Sequence, residues 1–408
     1  MTTTDSSASR TRRVHARPGP ATAIVAAAFW VTMMGTTIPT PLYPRYEAAF
    51  HFSSLMVTVA FAVYALGVVA GLLCFGSLSD RLGRRPVTAT ALLLSGAAAG
   101  VFLAADGLGL LLFGRVLSGL AAALVTGAAT AHLTELAPAD RQVRAGRIAL
   151  AANMGGLAGG PLLAGALAEW AADPLRLVWI VDAVLVLVSL VLLTAVPETV
   201  PRRADGRLLS LSLPRVPAAV RGPFLRCALA AGAGFAVLGV LTATTGLFFG
   251  EVLKLSTPVL SGATVSIAFV CTGTGQLLTR VLAPRPVLPA ACFGLLAAAA
   301  LIALAMLTAA LAPLIAAAVT VGLATGLALG DGIALITGQV AARVRGQAFS
   351  ALFAVLYAML ALPAIGVGVL ITATGLRTAG AVFAGAVAVL VLGVLASLPR
   401  DGRDGLVG

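Results

Sequence analysis

Apolar residues in this chain run in blocks of about 20 positions or more, separated by short polar stretches. A helix needs about 20 apolar residues to cross a bilayer, and twelve such blocks are present. They predict spans near 21–43, 56–78, 87–105, 108–132, 147–170 and 176–196. A second set is predicted near 224–250, 259–281, 287–311, 313–340, 347–373 and 377–398. The first block follows a basic segment, as a signal peptide's would. It exceeds the roughly 7–15 apolar residues of a signal sequence and so counts as a span. An even number of spans leaves both chain ends on one side.

The longest interruption, rich in Pro and Arg, parts the spans six and six. The expected organisation is a tail over 1–20, a six-helix bundle over 21–196, a surface linker over 197–223, a second six-helix bundle over 224–398 and a tail over 399–408. The fold class is all-α integral membrane. A faint echo relates the halves: Gly275, Gln276, Leu277 and Arg280 follow Gly76, Ser77, Leu78 and Arg81 at an offset of 199. Internal repeats of this kind imply two bundles related by a pseudo-two-fold axis.

Composition agrees. Of 408 residues, 60% are hydrophobic and 10% charged, where a soluble domain carries about 25% charged. The net charge of +12 would suit nucleic acid, but its distribution does not. Of 27 Lys and Arg, 22 fall on one side of the alternation, four on the other and one within a span. Basic residues collect in short cytoplasmic loops, so the arginine-rich side, with both termini, is expected to face the cytoplasm. Nucleic acid drops out as a partner; the lipid bilayer takes its place. The far side holds only Arg45, Arg176, Lys254 and Arg377. One lysine against 26 arginines suggests GC-rich, bacterial coding and a plasma (inner) membrane location. The four cysteines sit in or beside apolar runs without metal spacing and read as small hydrophobes.

Between the second and third spans lies Gly76-Ser77-Leu78-Ser79-Asp80-Arg81-Leu82-Gly83-Arg84-Arg85-Pro86. The pattern G-x-L-x-D-R-x-G-R-R resembles the cytoplasmic loop between the second and third helices of major facilitator superfamily transporters. Gly76 and Gly83 suit a tight turn and close approach. Asp80 suits the N-terminus of a neighbouring helix, where the macrodipole favours an anion. The resemblance implies a conformational latch across the two halves. Asp80 would face the start of the eleventh span near Gly346-Gln347, and Arg81 or Arg84 would reach Glu135 at the foot of the fourth, with Arg85 alongside. The alternative is that these charges only fix topology.

Three ionisable residues fall well inside spans, at about 2.5–3.5 kcal/mol each on insertion scales. Arg115 opens Arg115-Val116-Leu117-Ser118-Gly119, which resembles the fourth-span R-x-x-q-G of drug–proton antiporters, with Ser118 for Gln. An arginine does not give up its own proton, so Arg115 would act on a nearby acid or bind an anion; a snorkelling or paired Arg is the alternative. Asp182 of the sixth span is expected to pair structurally, Arg115 being a candidate partner, or to carry a proton. Asp331 stands in Gly330-Asp331-Gly332 of the tenth span, where flanking glycines admit a ligand. It is a candidate proton carrier, or else a partner of Arg343 or Arg345.

The fifth span carries Gly156-Leu157-Ala158-Gly159-Gly160-Pro161-Leu162-Leu163-Ala164-Gly165. It resembles the antiporter signature g-x-x-x-G-P-x-x-G-G, with Ala164 for one glycine. Pro161 removes a backbone donor, and the small residues allow tight helix packing. The first span ends Met34-Gly35-Thr36-Thr37-Ile38-Pro39-Thr40-Pro41-Leu42-Tyr43-Pro44, similar to the l-g-x-x-x-x-x-P-v-x-P of twelve-span antiporters at Gly35, Pro41 and Pro44. Polar cavity candidates are Thr36, Thr37, Tyr64, Asn153, Gln276 and Tyr357. No nucleotide loop G-x-x-x-x-G-K-[ST], nucleophile triad or metal cluster is present in the sequence. The expectation is a monomeric secondary transporter, not an enzyme, without cofactor. It would export a small lipophilic molecule in exchange for protons by alternating access, the proton motive force being the driver. An uptake permease on the same fold is the alternative.

Overall fold

A computed structural model of the chain describes residues 18–76, 78–200, 215–255, 257–279, 281–282 and 284–398, without the side chains of Pro18, Pro284, Arg285, Ala342 and Arg343. Ser77, Arg280, the linker arginines Arg202, Arg203 and Arg207, and the tail arginines Arg10, Arg12, Arg13, Arg17, Arg400 and Arg403 lie outside the described residues.

Among the described residues, twelve helices are long and apolar enough to cross a bilayer. In the first half they are α1 (Pro18–Thr37), α2 (Ser54–Phe75), α3 (Arg84–Leu103), α4 (Leu108–Leu136), α5 (Gln142–Trp170) and α6 (Pro174–Leu193). In the second they are α7 (Arg221–Leu247), α8 (Pro258–Leu278), α9 (Pro284–Thr308), α10 (Leu311–Gln339), α11 (Ala342–Thr374) and α12 (Leu376–Ala396). Several begin or end beyond their apolar blocks at the arginine-rich end: α4 runs to Leu136, α5 starts at Gln142 and α11 at Ala342. Arginine is a good helix former and its stem reaches along the helix while the charge stays in water, so the backbone coils on after hydropathy stops.

The first apolar block is divided. Pro39 and Pro41 have no N–H to give to the last turn of α1, which therefore stops at Thr37. A short turn over Thr40–Leu42 follows, then a helix over Tyr43–Phe50. At the opposite end a short helix, Leu78–Leu82, precedes α3. Beyond α7 the chain loosens into a π-helical turn over Phe248–Val252, and Lys254 then takes a positive φ of 54° on the exposed turn before α8.

Lipid tails are as apolar as leucine, so close packing holds membrane helices together. Two glycine crossings show this. A Cβ on Gly119 of α4 would lie 3.0 Å from the Gly67 Cα of α2, and one on Gly275 of α8 would lie 3.0 Å from the Gly326 Cα of α10. The second crossing repeats the first at offsets of 208 and 207, so the structural repeat is not in the register of the echo at 199. Gly76 ends α2, whereas Gly275 lies inside α8. Each half has its own core; α7 is buried along most of its length, while α6 turns Val184, Leu187, Val188 and Val191 outward.

The halves meet at the end away from the arginines. Pro44 lies against Gly246, Thr58 against Gly368, and the Pro258 carbonyl would be 2.6 Å from a Cβ on Gly165. Phe61, Ala62 and Ala65 of α2 join the core of the second half.

Candidate functional site

At the arginine-rich end the loop sequence folds into a charged knot. Gly83 has a φ of +103°, open to glycine but strained for other residues, and this turns the chain into α3. The Arg84 side chain donates to Glu135 from Nη2 at 2.8 Å and Nε at 3.1 Å, to Asp80 from Nη1 at 2.6 Å and to Ser79 at 2.7 Å. Of the two arginines expected near Glu135, Arg84 makes the ion pair. Arg81 lies on the Leu78–Leu82 helix, half-buried, and Gly76 closes α2 with its N–H on the Leu72 carbonyl.

Glu198, just past α6, was not singled out in the sequence. Its Oε1 accepts the Arg84 N–H at 2.9 Å and its Oε2 the Arg85 N–H at 3.0 Å. It therefore places an anion on the first two N–H groups of α3, where orphan donors and the dipole favour one. Arg85 contributes its backbone to this contact. Thr199 gives its hydroxyl to Glu135, and His132 Nε2 lies 3.0 Å from the Pro197 carbonyl. The only sequence signal was a lone acid at the end of a span on the arginine-rich side.

The expected reach of Asp80 to the start of the eleventh span is corrected. Asp80 binds Arg84, and the position of a Gly346 Cβ has nothing within 4 Å. The acids of the same half occupy the loop's charges, and the halves are packed together at the other end.

Deeper in the first half, Arg115 is 1% exposed. Its Nη1 donates to the Thr36 carbonyl at 2.6 Å and its Nε to the Ala60 carbonyl at 3.3 Å, with the guanidinium 4.4 Å from the Tyr64 ring centroid. The cation thus caps the broken end of α1, where unsatisfied carbonyls and the helix dipole attract positive charge, and gains a cation–π contact. Asp182 flanks the same end of α1: a Cβ on Gly35 would come 3.1 Å from its Oδ2 and 3.3 Å from the Ser95 hydroxyl. Asp182 is 1% exposed, and its Oδ1 has no hydrogen-bond partner. No Arg115–Asp182 ion pair forms among the described residues, which corrects that expectation; each instead packs on α1.

Asp331 is half-buried and receives the Cys227 thiol of α7 at 3.4 Å. Arg345, one of its two expected partners, donates to the Val340 carbonyl instead; the Arg343 side chain lies outside the described residues. Asp331 and Asp182 therefore sit in different halves. Among the described residues no three His, Cys, Asp or Glu side chains assemble as a metal site requires.

The glycines of the fifth-span run face two helices. Gly156 lies on Trp30 and Met33 of α1, Gly160 on Thr37 and Met34 of α1, and Gly165 on the start of α8. Pro161 meets Gly262 of α8. The run thus fills the seam where α5 of one half contacts α8 of the other. Pro41 is buried in the turn after α1, and Pro44 contacts Gly246 of α7.

At the centre, Tyr64 of α2 lies under the Arg115 guanidinium, and Tyr357 of α11 packs against the buried cluster that holds Tyr64. Phe235 of α7 meets Tyr357 edge-on at 6.3 Å. Asn153 of α5 and Gln276 of α8 have buried Oδ1 and Nε2 atoms, respectively, without a hydrogen-bond partner. These residues offer aromatic surface and a few uncharged hydrogen-bonding groups.

Two six-helix bundles of membrane-length helices that meet along a seam define a membrane transporter rather than an enzyme. The sequence profile of the Major Facilitator Superfamily matches residues 25–364, and the chain belongs to that superfamily. Among solved structures, it resembles a bacterial homolog of the human lysosomal transporter Spinster, in an inward-facing and occupied conformation. The TM-score is 0.73 at 18% identity, over 93% of this chain and 98% of that one. It also resembles the human organic anion transporter TETRAN, with a TM-score of 0.66 at 17% identity over 93% and 100% of the two chains. For the nucleoside transporter NupG the values are 0.71 and 12%, over 93% and 100%. No curated protein matches the sequence.

Proposed function

We propose that this transporter exports a small lipophilic or amphipathic molecule in exchange for protons, working as a monomer in a bacterial plasma membrane with its arginine-rich face in the cytoplasm. The observation that carries the reading is the run from Gly156 to Gly165, whose small residues and proline occupy the α5 contacts with α1 and α8. That run resembles the signature of drug–proton antiporters. Asp331, half-buried with a thiol donor, is the acid assigned to the proton; Arg115 holds the end of α1, and Asp182 packs it. The driving force suffices. One proton entering across about 100 mV releases about 2.3 kcal/mol, and one pH unit adds about 1.4 kcal/mol. Together these sustain a gradient on the order of 500-fold for a neutral substrate.

The second reading is an uptake permease for a small polar solute. The partnerless amide atoms of Asn153 and Gln276 favour it, since they offer hydrogen bonds that a lipophilic molecule does not need. Proton flux decides between the two. Purified protein in inverted vesicles with an acidic lumen is challenged with a compound panel. The export reading expects lumen alkalinisation with some compounds, abolished in Asp331→Asn and retained in Asp182→Asn. No proton signal with any compound, together with downhill uptake of a nutrient in right-side-out vesicles, would overturn export and install the permease.

A further inference from the structure

Pro161 has no N–H, so the Leu157 carbonyl four residues back has lost its helical donor. A hydroxyl replaces it: Thr37 Oγ1 of α1 donates to the Leu157 carbonyl at 3.0 Å and stands 3.2 Å from the Met34 carbonyl of its own helix. The next carbonyl, Ala158, meets Ser266 of α8 in the same fashion. Ser266 Oγ is 2.6 Å from the Ala158 carbonyl and 2.8 Å from the Gly262 carbonyl of its own helix. Each hydroxyl has one proton and two acceptors. The two differ in one respect. Thr37 belongs to the same half as α5, whereas Ser266 belongs to the other.

We propose that Ser266 is a positioning residue of the transport cycle, its hydroxyl forming a releasable clasp that holds the two halves shut at the end away from the arginines. The surroundings fit a clasp. Ser266 is buried, so water does not compete for its proton while the seam is closed. The backbones around it touch, with Gly262 against the Pro161 carbonyl and Gly165 against that of Pro258. Opening this end separates Ser266 from Ala158, and its proton then passes to the Gly262 carbonyl already within reach. No donor is stranded, and the Ala158 carbonyl takes water from the opened cavity. The clasp therefore favours the closed seam by at most one ordinary hydrogen bond, which biases the equilibrium without locking it. Alternation of the halves is common to both directions of transport, so this inference does not rest on export.

Amide hydrogen exchange on the full-length protein in nanodiscs, without substrate, tests it. Thr264 is the control: it is buried on the same helix, but its hydroxyl reaches only the Leu260 carbonyl of that helix, at 2.9 Å. Ser266→Ala is expected to raise exchange about fivefold over 161–170 and 258–264, and to lower it at the arginine-rich ends of α5 and α8. Thr264→Ala is expected to leave both ends as in the parent. Unchanged exchange in Ser266→Ala would overturn the clasp. A rise at both ends alike would do so too, because it would mean general loosening rather than a shift between two states.

Discussion

Glu198 anchors the start of α3 at the arginine-rich end although the loop pattern does not name it. Its two oxygens accept the amides of Arg84 and Arg85 at the start of α3, and Oε1 also accepts those of Thr199 and Val200. Charge-assisted bonds to a helix N-terminus are among the stronger surface contacts. Glu198→Ala is accordingly expected to lower stability by about 1–2 kcal/mol, and Glu198→Gln, which keeps the acceptor but not the charge, by about half as much. Thermal unfolding in detergent measures both; no loss in Glu198→Gln would show that the charge contributes nothing, and equal losses that the neutral acceptor contributes nothing. The Arg84–Glu135 pair was legible because both residues stand in a loop and a span end that the pattern placed on one face. Glu198 was not, because it lies more than a hundred residues from its partners and no local periodicity joins them. That Asp182 Oδ1 lacks a partner was hidden for a similar reason. A sequence displays an acid in a span but not which neighbours have turned away from it.

At the scale of one element, α5 shows what a proline does to its neighbours. The missing donor is replaced by Thr37 from α1, so the effect of each residue depends on the other. Thr37→Ala is expected to cost about 1 kcal/mol in the parent protein and nearly nothing in Pro161→Ala, where residue 161 regains an N–H for the Leu157 carbonyl. A double-mutant cycle on unfolding free energy reads this coupling, and additive losses would contradict it. That α5 would lose a backbone donor and pack closely was plain from its proline and small residues. Which glycine faced α1 and which faced α8 was not, because both faces of the helix are small and apolar. The limits of α1 escaped notice for a related reason: hydropathy continues through Pro39 and Pro41, and only the loss of two backbone donors stops the helix.

Over the whole molecule, the number of spans and their grouping into two bundles were readable, because the bilayer imposes a length on every apolar block. The register of the internal repeat was not. It resides in backbone crossings, Gly67 with Gly119 and Gly275 with Gly326, rather than in matched letters. The outward leucines and valines of α6 belong to the apolar surface that faces hydrocarbon and say nothing of the substrate. Sidedness is a matter for the molecule as a whole, and Lys254 gives a way to read it. It is the chain's sole lysine, and it stands exposed on the turn before α8, at the end opposite the arginines. Amine-reactive reagents thus have one side-chain target on the entire protein. A membrane-impermeant ester applied to intact cells is expected to modify Lys254 to completion, and mass spectrometry of the peptide reads the yield. Modification only after the cells are broken would reverse the assigned orientation. The same lysine accepts a fluorophore or a tether to a bead at one defined place, with all four cysteines left as they are.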